Sequence, residues 1–127
     1  MIDINIKELI IFALIITVID SVWLRSYMLP KYTQWFDSIG VSMEIDRTAI
    51  LLAYLLMVLV YPLLIKDNDR ETELVRAACV GAAIFGLYGF TVAAIFPKYD
   101  LKFALTELVW GVVLYTSTTF IKQKITS

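Results

Sequence analysis

The sequence predicts an all-α integral membrane protein, a four-helix bundle with a short interfacial helix between helices 1 and 2. Three observations lead to this fold class. Of the 127 residues, 60% are hydrophobic and only 18% are charged, which is too apolar for a soluble domain of this size. The mean hydropathy is +0.78. Four separate stretches approach or exceed the length of about 20 apolar residues that a membrane helix needs. One polytopic domain over residues 1–127 accommodates all four.

Prolines and charged residues set the expected ends of the helices. The first helix should end before Pro30, whose ring disfavours helical backbone at the preceding residue. Pro62 falls in the last turn of the second helix and predicts a kink, Pro97 should stop the third, and Lys122 should end the fourth. The N-terminus lacks the positive charge of a signal peptide, so we expect the first helix to be retained. The predicted spans are about 6–28, 48–65, 74–96 and 101–121.

Aromatic residues follow the first helix at helical spacing, at Tyr32, Trp35, Phe36 and Ile39. This pattern predicts a short amphipathic helix that lies at the membrane interface. Tyr32, Trp35 and Phe36 would anchor it at headgroup level, where aromatic side chains are enriched. A loop with an aromatic anchor is the alternative.

The other two connections are shorter. The charged stretch 66–73 predicts a solvated turn in which Asn68 or Thr72 caps the third helix. The link 97–100 is so short that the third and fourth helices should be adjacent and antiparallel. Four spans place both termini on the side of the 66–73 turn. That side carries six Lys and Arg residues against five on the other, so the positive-inside rule weakly favours cytoplasmic termini.

Two acidic residues lie inside the apolar stretches, Asp20 in the first helix and Glu107 in the fourth. With a rise of 1.5 Å per residue, both lie roughly 9 to 12 Å from the same face of the membrane. Charged side chains in hydrocarbon are costly, and they are functional candidates by default. Polar groups at a similar depth complete a predicted layer, whose members are Asp20, Arg25, Tyr54, Tyr88, Thr91 and Glu107.

The polar layer has two interpretations. In the functional one, Asp20 and Glu107 form a coupled carboxyl pair that binds a cation, carries a proton or holds a polar substrate, with Arg25 as gate or counter-charge. In the structural one, one or both carboxyl groups are protonated. Together with the neighbouring hydroxyl groups they then tie the helices by hydrogen bonds worth about 0.6 to 2 kcal/mol each. The small size of the bundle favours the structural interpretation.

Two further patterns predict helix packing. Trp23 and Trp110 each follow an acid by three residues, which places them beside the polar layer, as packing groups rather than as a stacking platform for a ligand. Small residues recur along one face of the third helix, which lets a neighbouring backbone approach closely. This stripe comprises Ala78, Ala82, Gly86, Gly89 and Ala93. A partner-binding face is the alternative for it.

Composition argues against several function classes. The chain has no histidine and one cysteine, Cys79, so zinc, haem-histidine and Cys/His nucleophile sites lack their ligands. A net charge of −1 offers no basic face for nucleic acid. No nucleophile and base pair is visible either. We therefore expect no enzyme, no metal and no cofactor.

Short motifs carry a resemblance over nearly the whole chain. They are Asp20-x-x-Trp23-Leu24, Tyr32, Tyr88-x-x-Thr91 and Glu107-Leu108-Val109-Trp110-Gly111. With them the chain resembles a family of short, four-span predicted membrane proteins known only as a domain of unknown function, found in bacteria and with relatives in large DNA viruses of eukaryotes. In that family the third-helix motif reads Tyr-Asp-x-Thr-Asn and the fourth-helix acid is Asp. Here Gly89, Val92 and Glu107 stand at the differing positions, which implies a member that has lost two polar groups of any shared site.

These observations favour a non-enzymatic integral membrane protein that serves as a structural or assembly subunit of a larger membrane-associated complex. Its expected partners are the lipid bilayer and other membrane or capsid-type proteins, not nucleic acid. The viral relatives that the resemblance implies make the internal membrane of a virion one setting. The alternative is a small proton- or cation-coupled transporter or channel that uses the buried carboxylate pair. Whether the protein forms homo- or hetero-oligomers is left open.

Overall fold

The computed structural model describes residues 5–40, 46–96 and 99–126. Over these ranges all regular structure is helical, with no strand, which confirms the predicted all-α class. Four helical runs are long and apolar enough to cross a membrane, Ile6–Ser38, Arg47–Ile65, Arg70–Ile95 and Leu101–Thr126. Their parts are α1 (Ile6–Trp23), a first π turn (Leu24–Met28), α2 (Leu29–Ser38), α3 (Arg47–Val60), a second π turn (Tyr61–Ile65), α4 (Arg70–Ile95) and α5 (Leu101–Thr126).

Pro30 does not end the first helix, contrary to the prediction. The backbone passes from α1 through the first π turn into α2, and the whole run has 33 residues. A π turn holds one extra residue, which moves away the carbonyl that a proline ring would otherwise meet. Pro62 likewise lies in the second π turn. The predicted amphipathic helix is therefore present as α2, but as a direct continuation of α1 and not as a separate interfacial segment.

The helix ends differ from the prediction for local reasons. α4 begins at Arg70 because the Asp69 carboxylate caps it, accepting a hydrogen bond from the Thr72 backbone N–H at 3.3 Å. Asp69 is thus the cap, in place of Asn68 or Thr72. The Thr72 hydroxyl also donates to this carboxylate and lowers the pKa of Asp69. α4 ends at Ile95, and Pro97, the predicted stop, lies outside the described residues.

α4 and α5 form the closest helix pair, adjacent and antiparallel. A Cβ built on Gly81 would overlap the backbone carbonyl of Gly111, and a Cβ built on Gly111 would overlap that of Gly81. Further along, Gly89 lies over Ala104. Gly81, which is not part of the predicted stripe, therefore lets the backbones of α4 and α5 touch at Gly111. Gly86 packs under the side chain of Leu108, and Ala82 is partly buried.

The hydrophobic core lies between α1, α4, α5 and the second π turn. Phe12 stacks on Tyr61 with ring centroids 4.5 Å apart, and the Tyr115 hydroxyl donates to the Met57 carbonyl at 2.9 Å. These contacts fix only the end of α3. The rest of the α3 backbone approaches that of α1 but not that of α4 or α5, and Leu51 on α3 is 69% exposed. A groove therefore opens beside α3.

Alanine at Gly81 should destabilise the bundle more than alanine at Gly86. The Gly81→Ala methyl group meets the backbone of Gly111, and such overpacking costs about 1–3 kcal/mol, more than the about 0.5–1 kcal/mol that alanine gains over glycine in a helix. The Gly86→Ala methyl group meets only the end of the Leu108 side chain, which can rotate away. Unfolding free energies of the detergent-solubilised variants measure the difference. Equal stability of the two variants would contradict the backbone contact.

Candidate functional site

Asp20 accepts hydrogen bonds from two other helices. The Tyr54 hydroxyl of α3 donates to Oδ2 at 2.6 Å, and the Trp110 indole N–H of α5 donates to Oδ1 at 3.2 Å. Asp20 itself lies on α1. One carboxyl group thus connects three helices, and it provides the only hydrogen bond that ties the middle of α3 to another helix among the described residues.

The two tryptophans predicted to pack beside the polar layer stack on each other. The rings of Trp23 and Trp110 are 4.4 Å apart between centroids, with an interplanar angle of 11°. Trp23 also stacks on Tyr27 at 4.4 Å. Trp110 is therefore both a packing group and a donor to Asp20. Its donor role is one that the spacing of acid and tryptophan did not predict.

Glu107 is enclosed by tyrosines and is only 2% exposed. The Tyr32 hydroxyl of α2 donates to its Oε1 at 2.9 Å, and the Tyr99 hydroxyl donates to the same oxygen. Tyr88 of α4 extends this network, since its hydroxyl oxygen lies 3.3 Å from that of Tyr32. On the other side, Gly89 leaves space for the carboxylate: a Cβ built there would lie 3.1 Å from Oε2. Glu107 thus links α5 to α2 and, through Tyr32, to α4.

Tyr99 is a member of the site that the sequence analysis missed. It lies in the link between α4 and α5, which is too short for its structure to be predicted from sequence periodicity. The Tyr99 side chain is nevertheless only 4% exposed. Burial raises the pKa of the Tyr99 phenol, and the hydrogen bond to Glu107 raises it further. The phenol therefore stays protonated at neutral pH and can donate its hydrogen bond to Glu107. An aromatic residue in an otherwise polar link was the only sequence signal for it.

Two residues of the predicted layer do not join it. Arg25 and Thr91 are both exposed, and Arg25 forms no ion pair within the described ranges. Arg25 lies in the first π turn, whereas Asp20 lies in α1. The other members fall into two clusters, one around Asp20 and one around Glu107, rather than around one shared carboxyl pair.

The predicted interfacial aromatics pack against the end of the bundle. Trp35 meets Tyr99 edge to face at 5.1 Å and Phe96 at 5.4 Å, and Phe36 lies beside Trp35 at 5.0 Å. Tyr32 instead turns inward to Glu107. The aromatic side chains of α2 therefore cover the Glu107 cluster from the side of the link.

Both carboxylates border one groove, which we call the carboxylate groove. It has a volume of about 730 Å³ and lies between α1, α3, α4 and α5. Its polar lining comes from Asp20, Glu107, Tyr32 and Tyr88, and the stacked tryptophans form part of its wall. The remaining lining is apolar: Leu24, Met28, Ile50, Ala53, Leu56, Met57, Val60, Ile84 and Phe85.

A third polar cluster, which is buried, surrounds Glu73 at the opposite end of the α4–α5 pair. Its Oε1 accepts from the Lys122 ammonium at 3.0 Å and from the Gln123 amide at 2.9 Å. Its Oε2 accepts from the Tyr61 hydroxyl at 3.0 Å. Glu73 and Lys122 are only 2% and 4% exposed. The prediction that Glu73 lies in a solvated turn is therefore wrong, and so is the prediction that the last helix ends at Lys122. Pairing lets α5 bury Lys122 and continue to Thr126.

Removal of either charge of the Glu73–Lys122 pair should be strongly destabilising. Glu73→Gln leaves a buried ammonium without its counter-charge, and Lys122→Met leaves a buried carboxylate, at a cost of about 3–5 kcal/mol each. The double variant buries no charge and should lose clearly less than the sum. A double-mutant cycle of unfolding free energies measures this coupling.

The partly exposed pair Arg76–Asp67, 3.4 Å apart, gives the control for this cycle. Arg76→Met there should cost less than about 1 kcal/mol, as is usual for surface pairs. Additive losses at Glu73 and Lys122 would contradict a coupled buried pair.

Comparison with known proteins identifies a family but no activity. Residues 5–123 match the model of a family described as "Predicted membrane protein (DUF2177)". The match includes both carboxylates of the groove and the Glu73–Lys122 pair. No curated protein and no solved structure matches the chain significantly.

Proposed function

The chain belongs to the DUF2177 family of predicted membrane proteins, and we propose that it is a non-enzymatic structural or assembly subunit of a larger membrane complex. One observation carries this proposal: each carboxylate near the groove accepts hydrogen bonds from other parts of the same chain. Asp20 takes them from α3 and α5, and Glu107 takes them from α2 and the α4–α5 link. Groups used in this way hold the bundle together.

The outer surface supports the same proposal. Large apolar side chains cover it, among them Leu14 at 64%, Leu51 at 69% and Leu87 at 73% exposed. Such a surface suits lipid, and it equally suits packing against the helices of other membrane proteins. With polar clusters fixing both ends of the α4–α5 pair, the bundle presents this surface in a constant shape. The internal membrane of a virion is one setting that we propose, on the strength of the family resemblance.

A second candidate function is proton- or cation-coupled transport. The observation that favours it is the carboxylate groove, because both acidic side chains border the same space. A transport site needs such access to its ionisable groups. The two functions differ in whether Asp20 and Glu107 exchange protons or cations with either side of the membrane.

If the hydrogen bonds of Asp20 hold the helices together, their removal should lower the stability in proportion to the number of bonds lost. Tyr54→Phe removes one hydrogen bond to Asp20 and should lower the unfolding free energy by about 0.6 to 2 kcal/mol. Asp20→Ala removes both acceptors and should cost more. Thr91→Val is the matched control, because Thr91 is exposed and its change should stay within about 0.5 kcal/mol. Denaturation in mild detergent measures all three, and a Tyr54→Phe variant as stable as Thr91→Val would count against fastening.

Measurement of proton and cation flux into vesicles distinguishes the structural role from transport. Purified protein reconstituted into liposomes should pass no more protons or monovalent cations than protein-free vesicles, because the structural role needs no conduction. A flux that Asp20→Asn abolishes, and that the exposed Glu71→Gln leaves intact, would overturn the structural proposal in favour of transport. Extraction in mild detergent gives the positive result: the chain should elute in a complex of defined stoichiometry larger than its monomer.

A further inference from the structure

The buried carboxylates of this bundle differ in how their charge is compensated. Glu73 has a cationic partner, Lys122, at 3.0 Å. Among the described residues, Asp20 and Glu107 have only neutral donors, the hydroxyl groups of tyrosines and one indole N–H. The ion pairs found in the described part of the chain join Glu8 to Lys66, Asp67 to Arg76 and Glu73 to Lys122, so none includes the carboxylates of the groove.

An uncompensated carboxylate in low dielectric is costly. Neutral hydrogen bonds lower that cost but do not cancel the charge. The chain carries a cation close by in sequence, Arg25, yet its side chain is exposed and forms no ion pair with a described residue. Within the described ranges, therefore, no cation of the chain compensates the charge that Asp20 and Glu107 carry when they are ionised.

The carboxylate groove provides space for a compensating charge. Its volume of about 730 Å³ lies within the range of roughly 300–1,000 Å³ that is typical of small-molecule sites. Both carboxylates border it, and the stacked pair of Trp23 and Trp110 lies beside Asp20. Aromatic faces attract organic cations, including ammonium groups.

The rest of the lining argues for an apolar tail on the same ligand. Side chains such as Leu24, Leu56 and Phe85 line most of the groove, and they offer nothing to a hydrated ion. In the described ranges no group of three or more Cys, Asp or Glu side chains is placed to hold a metal ion. Because the α3 backbone stays away from that of α4, the groove is open beside α3, where a lipid-like molecule in the bilayer can enter sideways.

We propose that the carboxylate groove binds an amphiphile with a cationic amine head and a hydrocarbon tail. The ammonium group lies against Asp20 and Glu107 and takes the place that Lys122 has beside Glu73. The tail lies along the apolar lining between α3 and α4. This inference goes beyond the structural role proposed above and does not depend on it, since fastening of the helices and occupation of the groove are separate measurements.

Tryptophan fluorescence tests the proposal directly. The chain has three tryptophans, and Trp35 lies outside the groove lining, so Trp35→Phe leaves Trp23 and Trp110 as reporters. In detergent, undecylamine should shift the emission of these tryptophans saturably, because its ammonium group lies beside their stacked rings. Undecanol and undecanoic acid, of the same chain length, should bind at least roughly tenfold more weakly, the loss expected when a charge-assisted contact worth about 1.5 kcal/mol or more is missing.

Variants of the two groove carboxylates test whether their charge binds the amine. Asp20→Asn and Glu107→Gln, each in the Trp35→Phe background, should weaken amine binding by roughly tenfold or more, whereas Glu71→Gln removes an equal charge from the exposed start of α4 and should leave it unchanged. Equal affinity for amine and alcohol would overturn the proposal, as would full amine affinity in both groove variants. If a groove variant fails to fold, the comparison of amine with alcohol on the parent chain still decides.

Discussion

The cost of an unpaired polar group in hydrocarbon is the constraint on which this structure depends. Three acidic side chains are placed inside an apolar bundle, and each determines the arrangement around it. Asp20 draws α3 and α5 to α1, Glu107 draws α2 and the α4–α5 link to α5, and Glu73 draws Lys122 into the opposite end. Glycine contacts bring α4 and α5 close together, which lets Glu73 of α4 reach Lys122 of α5. The need to hydrogen-bond the acidic side chains determines how the helices are arranged, and small residues let the helices come close enough to pack that way.

Hydropathy was sufficient to predict the fold class, because any chain with four long apolar stretches has few other choices in a bilayer. It also placed Asp20 and Glu107 at similar depth, since depth follows from the rise per residue alone. Direction around the helix axis was harder to predict. Arg25 and Thr91 were predicted at a suitable depth but are exposed, and Tyr99 lies in a link for which no helical periodicity exists.

The Glu73–Lys122 pair was missed although the sequence contains the signal for it. Two antiparallel helices joined by a short link bring together residues that are equally far from that link, as Gly81 and Gly111 or Gly89 and Ala104 show. The same register pairs Glu73 with Lys122. Charges near the ends of apolar stretches suggest solvent, and only the pairing register distinguishes a buried pair from two solvated ends. The carboxylate groove depends in a similar way on tertiary structure, since it exists because α3 stays apart from α4.

The first π turn has a consequence for inheritance. In a regular α-helix, Asp20 and Tyr32 would point about 120° apart around the axis, whereas one residue absorbed in the turn brings them to within about 20°. One codon therefore sets the phase between two polar clusters. A lineage that deleted a single residue from Leu24–Met28 and restored a regular α-helix would keep Asp20 and Tyr32 within about 20° of each other, whereas an inserted residue would rotate Tyr32 by about 100° away from Glu107. Insertions in this turn should consequently be purged by selection more strictly than a single deletion that converts the turn to regular α-helix.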